Sequence, residues 1–156
     1  MTTRSTVQGR WRETICIGVC SLAVILALVV GVGLASGLVI RHVVQTAPMW
    51  LGVVIGFRGS AAVKWMALPM FIFWLLLMTL IWLFLLGLPS PLSGHFNPIE
   101  IAMTIVVGTA SLVGIWAALR VSPGMSIATG AALFAGAATL QAICFRVSLL
   151  PAIAHR

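Results

Sequence analysis

The chain has 156 residues, 62% of them hydrophobic and 7% charged, and nine Lys and Arg against two acidic residues, Glu13 and Glu100, give it a formal net charge of +7. A soluble domain carries about a quarter charged residues, so this composition argues against a water-soluble fold. The basic residues sit between long apolar runs and not in a stripe with interleaved aromatics, which argues against a nucleic-acid partner and points to lipid phosphates.

Arg4, Arg10 and Arg12 ahead of an apolar run have the layout of a secretory signal. The run over 15–40 is far longer than the ~7 to 15 residues of a signal core, and it predicts a retained span, with cleavage after the small residues at 35–37 as the alternative. Its length suits the ~20 residues needed to cross ~30 Å of hydrocarbon as a helix. Ala23, Ala27, Gly31 and Ala35 recur every fourth residue, with Gly33 and Gly37 as a further small pair. Such a face lets another backbone approach closely, and a helix of the same chain is favoured over a partner as its occupant. Cys16 and Cys20 lack metal-site spacing, as does Cys144 near the end of the chain, and read as small buried hydrophobes.

Residues 48–57 form an apolar stretch too short to span, read as a short interfacial helix carrying Trp50, with a re-entrant segment lining a cavity as the alternative. The second span is expected over 65–88. Its bulky Trp65, Phe71, Phe73, Trp74, Trp82 and Phe84 suit an outer, lipid-facing helix, and Pro69 is expected to kink its first turns. Residues 89–97 are rich in turn formers and predict a tight hairpin loop.

The third span, over 98–119, opens with Asn97 as N-cap, Pro98 at the first position and Glu100 at the third, the pattern of a capping box. Ala110, Gly114 and Ala118 again make a small-residue face, while Trp116 and Arg120 mark an interface. After the Ser122-Pro123-Gly124 turn, the fourth span over 125–146 repeats the device at Ala128, Ala132 and Gly136. Gln141 is the most polar side chain well inside it, with Thr104, Thr109, Ser111 or Ser21 expected as hydrogen-bond partners on other helices.

The fold class expected is an all-α integral membrane protein. It is a four-helix transmembrane bundle with a short interfacial segment between the first and second spans, forming one polytopic domain. The first, third and fourth helices should pack together with the second covering them, and four spans would put both termini on one side.

Few residues could carry chemistry. Glu100, Gln141 and His95 are the polar candidates. Capping accounts for Glu100, although an intramembrane carboxylate is also what proton coupling requires. His42, His95 and His155 are not at matched depth on facing helices, so neither a haem nor a buried metal site is expected, and no cofactor is implied. Ser90, Ser93, His95 and Glu100 lie close together but lack a nucleophile-elbow sequence and read as turn chemistry. The sequence thus points to a non-enzymatic accessory, assembly or stabilising component of a membrane complex, or a lipid-interacting protein, in the plasma (inner) membrane. Its partners would be membrane lipids and other membrane-protein subunits or further copies of itself. An oligomeric carrier or channel for a neutral or lipidic molecule is the alternative.

Overall fold

The computed structural model describes residues 3–91, 95–122 and 124–154, without the side chains of 3–10 and 154. Ser93, Pro123, His155, Arg156 and the side chains of Arg4 and Arg10 lie outside the described residues. The elements found are all helical: α1 (Thr3–Leu26), a π-helical segment (Ala27–Gly33), α2 (Leu34–Ser36), α3 (Val39–Thr46), α4 (Met49–Phe57), α5 (Ala62–Leu85), α6 (Pro98–Arg120), α7 (Ile127–Ser148) and α8 (Pro151–Ala154). Four of the helical stretches, Trp11–Ser36, Ala62–Leu85, Pro98–Arg120 and Ile127–Ser148, are long and apolar enough to cross a membrane.

The first long helix ends earlier than its hydropathy suggests. Gly37 takes φ 72°, the left-handed conformation that closes a helix, and the chain reverses there. Val39 and Ile40, expected to finish the first span, therefore begin α3 instead.

The α3–α4 pair then runs back beside α1. Gly33 faces the Val39 backbone, Gly52 faces Ser21, Gly56 faces Thr14 and Gly18, and Gly59 faces Trp11, so the pair returns from the end of α1 to its beginning. A Cβ on Gly56 would sit 2.8 Å from the Gly18 nitrogen and the Thr14 carbonyl, a distance only a glycine permits. Met49 and Val53 of α4 are buried in the core with Ile17, Val24 and Ala67. Residues 48–57 thus form the short helix expected of them, but it lies lengthwise along α1, with Met49, Gly52, Val53 and Gly56 buried and Trp50, Val54 and Phe57 exposed, and not flat at the rim. A bend of 54° separates α3 from α4, at Pro48, which has no N–H to continue α3.

A second correction concerns the helix order. The long helix expected to cover the outside, α5, is an inner one over its first two thirds, with Val63, Ala67, Met70, Phe71, Trp74 and Met78 buried. Its aromatic rings fill the hollows left by glycines on neighbouring helices: Phe71 lies on Gly114 and Trp65 on Gly130. The helix runs unbroken through Pro69. The outer helix is α7, where 17% of the most apolar window is buried against 44% for the first span. Ala128, Ala132 and Gly136 are all exposed, and a Cβ at Gly136 would meet nothing within 4 Å. The packed face of α7 is Gly130, Ala137, Gln141 and Ser148.

On the other small-residue faces, Ala27, Gly114 and Ala118 are buried, Ala23, Gly31 and Ala110 are half-buried with Gly31 against Met103, and Ala35 is exposed. One end of the bundle gathers Trp11, Gly59, Lys64 and the α6–α7 connection: Lys64 Nζ donates to the Val121 carbonyl at 3.0 Å, and Gly124 faces Ala61. The other end holds Gly37, the α5–α6 connection and the start of α6, where Phe84 meets Phe96.

Candidate functional site: a half-open cavity beside the π-helical segment

The carbonyl at the end of α3 would normally accept from an N–H four residues on, but the bend at Pro48 takes that partner away. Gln141 of α7 supplies one: its Nε2 donates to the Gln45 carbonyl at 3.0 Å, while its Oε1 is buried without a partner. The interhelical hydrogen bond expected of Gln141 is therefore present. It is made to backbone on α3, not to Thr104, Thr109, Ser111 or Ser21.

Above this bond lies a half-open cavity of about 270 Å³. Leu28 and Val32 line it from the first span, and the π-helical segment that holds both widens the helix there. Runs of π-helix are rare and tend to occur at functional sites. Leu77, Met78 and Ile81 of α5 form an aliphatic wall, and Trp74, Phe96 and Phe145 add aromatic rings.

The polar groups come mainly from one face of α3. Arg41 and Gln45, four apart, both line the cavity with His42 between them. His42 is buried and its Nδ1 donates to the Leu38 carbonyl at 2.8 Å, which leaves Nε2 as the acceptor of the neutral ring. Gln45 is 4% exposed, and among the described residues its side-chain amide has no hydrogen-bond partner. Arg41 likewise has no hydrogen bond or ion pair among them, and its Nε is buried.

Glu100 reaches the cavity from α6, with Thr104 one turn on. Its role as a cap is present in full: Asn97 N donates to Glu100 Oε2 and Glu100 N to Asn97 Oδ1, each at 2.8 Å. The Thr104 hydroxyl donates to the Ile101 carbonyl at 2.7 Å. His95 is exposed in the α5–α6 connection and does not line the cavity. Of the three polar candidates, then, Glu100 faces the cavity, Gln141 supports its floor through α3, and His95 stands apart. No group of three or more His, Cys, Asp or Glu among the described residues is arranged to hold a metal.

Arg41, His42 and Gln45 are the residues that sequence reasoning missed as a cluster. Their signal was polar spacing at i and i+4 inside a stretch too short to be read as a span. In comparisons with known proteins, no family model, curated protein or solved structure matches the chain.

Proposed function

We propose that this chain is a polytopic protein of the plasma (inner) membrane that works by contact, as a non-enzymatic accessory or assembly component that docks another transmembrane helix. The observation that carries this reading is the outward face of α7, where Ala128, Ala131, Ala132, Ala135, Gly136 and Thr139 are all exposed. A helix that meets only lipid has no need of so smooth a surface, whereas helix association in a bilayer depends on close backbone approach at small residues. The occupant is another membrane subunit or a second copy of this chain.

The membrane reading rests on the length and apolarity of the four long helices and on the aromatic and basic residues at one end, Trp11, Arg12, Arg58, Lys64, Trp116 and Arg120. The Arg120 guanidinium stacks 3.7 Å from the Trp116 ring centroid, a pairing suited to headgroup depth. We take α3–α4 as a fifth, broken crossing, since it returns along the whole of the first span. Non-helical backbone at such a depth is tolerated where it is buried in protein or lines a cavity, and the Gln141 bond to Gln45 supplies that shelter. Five crossings put residues 3 and 153 on opposite sides.

The test is Ala132→Trp together with Ala135→Cys. The tryptophan should remove copurifying protein, or dissociate the oligomer, without lowering thermal stability, and the cysteine should crosslink to whatever occupies the face. An unchanged assembly with Ala132→Trp would remove this reading. The cavity favours a second reading, binding or carriage of a lipidic small molecule, because clefts that take small molecules are mostly apolar with a few convergent polar groups.

A further inference from the structure

We propose that the cavity beside the π-helical segment binds a single-chain amphiphile with an acidic head, held by Arg41 and Gln45; this rests on the second, lipid-binding reading above. Glu100 also lines the cavity, but its carboxylate accepts from Asn97 N and stands at the positive end of α6, which offsets part of its charge. Arg41 has no such partner. Arg41 is half-buried with its Nε shielded, and a guanidinium without a protein partner at such a cavity favours an incoming anion.

Gln45 adds a directional donor. The residue is 4% exposed, its amide has no hydrogen-bond partner among the described residues, and it lines the same cavity one turn from Arg41. An amide that opens into a cavity without a protein partner has its donors free for a ligand. An acidic oxygen placed between the two accepts from the guanidinium and from the amide Nε2 together, in the planar geometry that arginine offers to carboxylate and phosphate.

The rest of the lining selects for a tail. Leu77, Met78 and Ile81 on one side and Leu28 and Val32 on the other offer nothing to a wholly polar anion. At about 270 Å³ the space lies near the lower end for small-molecule pockets, room for one chain or a compact ring system. Trp74, 1% exposed and part of the wall, serves as an internal reporter.

The experiment uses the full chain in phosphatidylcholine vesicles and measures quenching of tryptophan fluorescence by a bromine-labelled fatty acid, with wild type compared against Trp74→Phe. Saturable quenching that depends on Trp74 is expected. Arg41→Gln should weaken it by about tenfold or more, the scale of one charge-assisted hydrogen bond, and Gln45→Leu should also weaken it. Arg41→Lys should retain part of the affinity and guards against misfolding of the neutral variant, while Arg58→Gln, at the opposite end, should leave it unchanged. A labelled alkyl phosphate in a parallel titration distinguishes a phosphate head from a carboxylate, and preference for either supports the acidic head. Equal affinity of wild type and Arg41→Gln, or equal quenching by a labelled alkylamine, overturns the proposal. Failure of the chain to enter vesicles defeats the membrane reading itself, whereas an inserted chain with only unsaturable quenching defeats this site alone.

Discussion

Gln141 Nε2 donates to the Gln45 carbonyl at 3.0 Å across the interface between α7 and α3, and so completes the backbone where the second of these helices is broken. The bond ties the outermost long helix to the broken pair. Leaving a buried carbonyl unsatisfied costs about 1 to 3 kcal/mol. Gln141→Met, close in volume but without a donor, should lower stability by less than that amount, because it also removes the unpartnered Oε1, and Gln141→Ala by more because it leaves a cavity. Thermal unfolding of the three proteins in one detergent measures this, and an unchanged midpoint for Gln141→Met would show that the break does not need the bond.

Close helix contacts make a graded prediction. Gly56→Leu and Gly114→Leu should each cost more than about 1 to 3 kcal/mol, because the new side chain meets the backbone of α1 in the first case and the Phe71 ring in the second. Gly136→Leu should have no effect on the isolated chain, since its surroundings are open. Expression level and unfolding temperature for the three variants give the ranking, and a Gly136→Leu chain as unstable as Gly56→Leu would mean that α7 packs by a different face.

Capping and chemistry at Glu100 separate by substitution. Glutamine still completes the capping box, so Glu100→Gln should lose only the charge-to-dipole contribution of ~0.3 to 1 kcal/mol. Asn97→Ala, which removes the cap, should cost ~0.5 to 2 kcal/mol. If Glu100→Gln instead abolished the phenotype of the gene in complementation while leaving protein level intact, the carboxylate would be carrying a proton or cation, and the carrier alternative would replace the accessory reading.

The extent to which the sequence announced this structure follows from what each signal measures. The Asn97-Pro98-Ile99-Glu100 start of α6 was legible, because a capping box is local chemistry, and it is present as expected. The long apolar helices were legible for the same reason, through length and hydropathy. The end of the first span was not, since hydropathy runs smoothly through Gly37 while the backbone turns there. The placement of α4 was lost because an apolar stretch looks alike whether it faces lipid or protein. Its Gly52 and Gly56, four apart, carried the missing hint. The exchange of roles between α5 and α7 has the same origin. Small residues permit close approach without saying that it happens, and the large rings of α5 turned out to be the groups that fill glycine hollows. The cavity residues Arg41, His42 and Gln45 needed the return of α3 beside the first span, a tertiary relation with no local signature.

The central claim, that α3–α4 crosses the membrane as a broken helix, is tested most directly by sidedness of labelling. Single cysteines would replace Thr3, Ser60 and His95 in turn, in a chain whose Cys16, Cys20 and Cys144 are changed to Ala, and sealed vesicles would be treated with a membrane-impermeant thiol reagent. Positions 3 and 60 should react from one side and position 95 from the other, because the broken pair brings the chain back to the Trp11 end before α5 begins. Reaction of 3 and 95 from the same side, with 60 opposite, would contradict the account and restore four crossings.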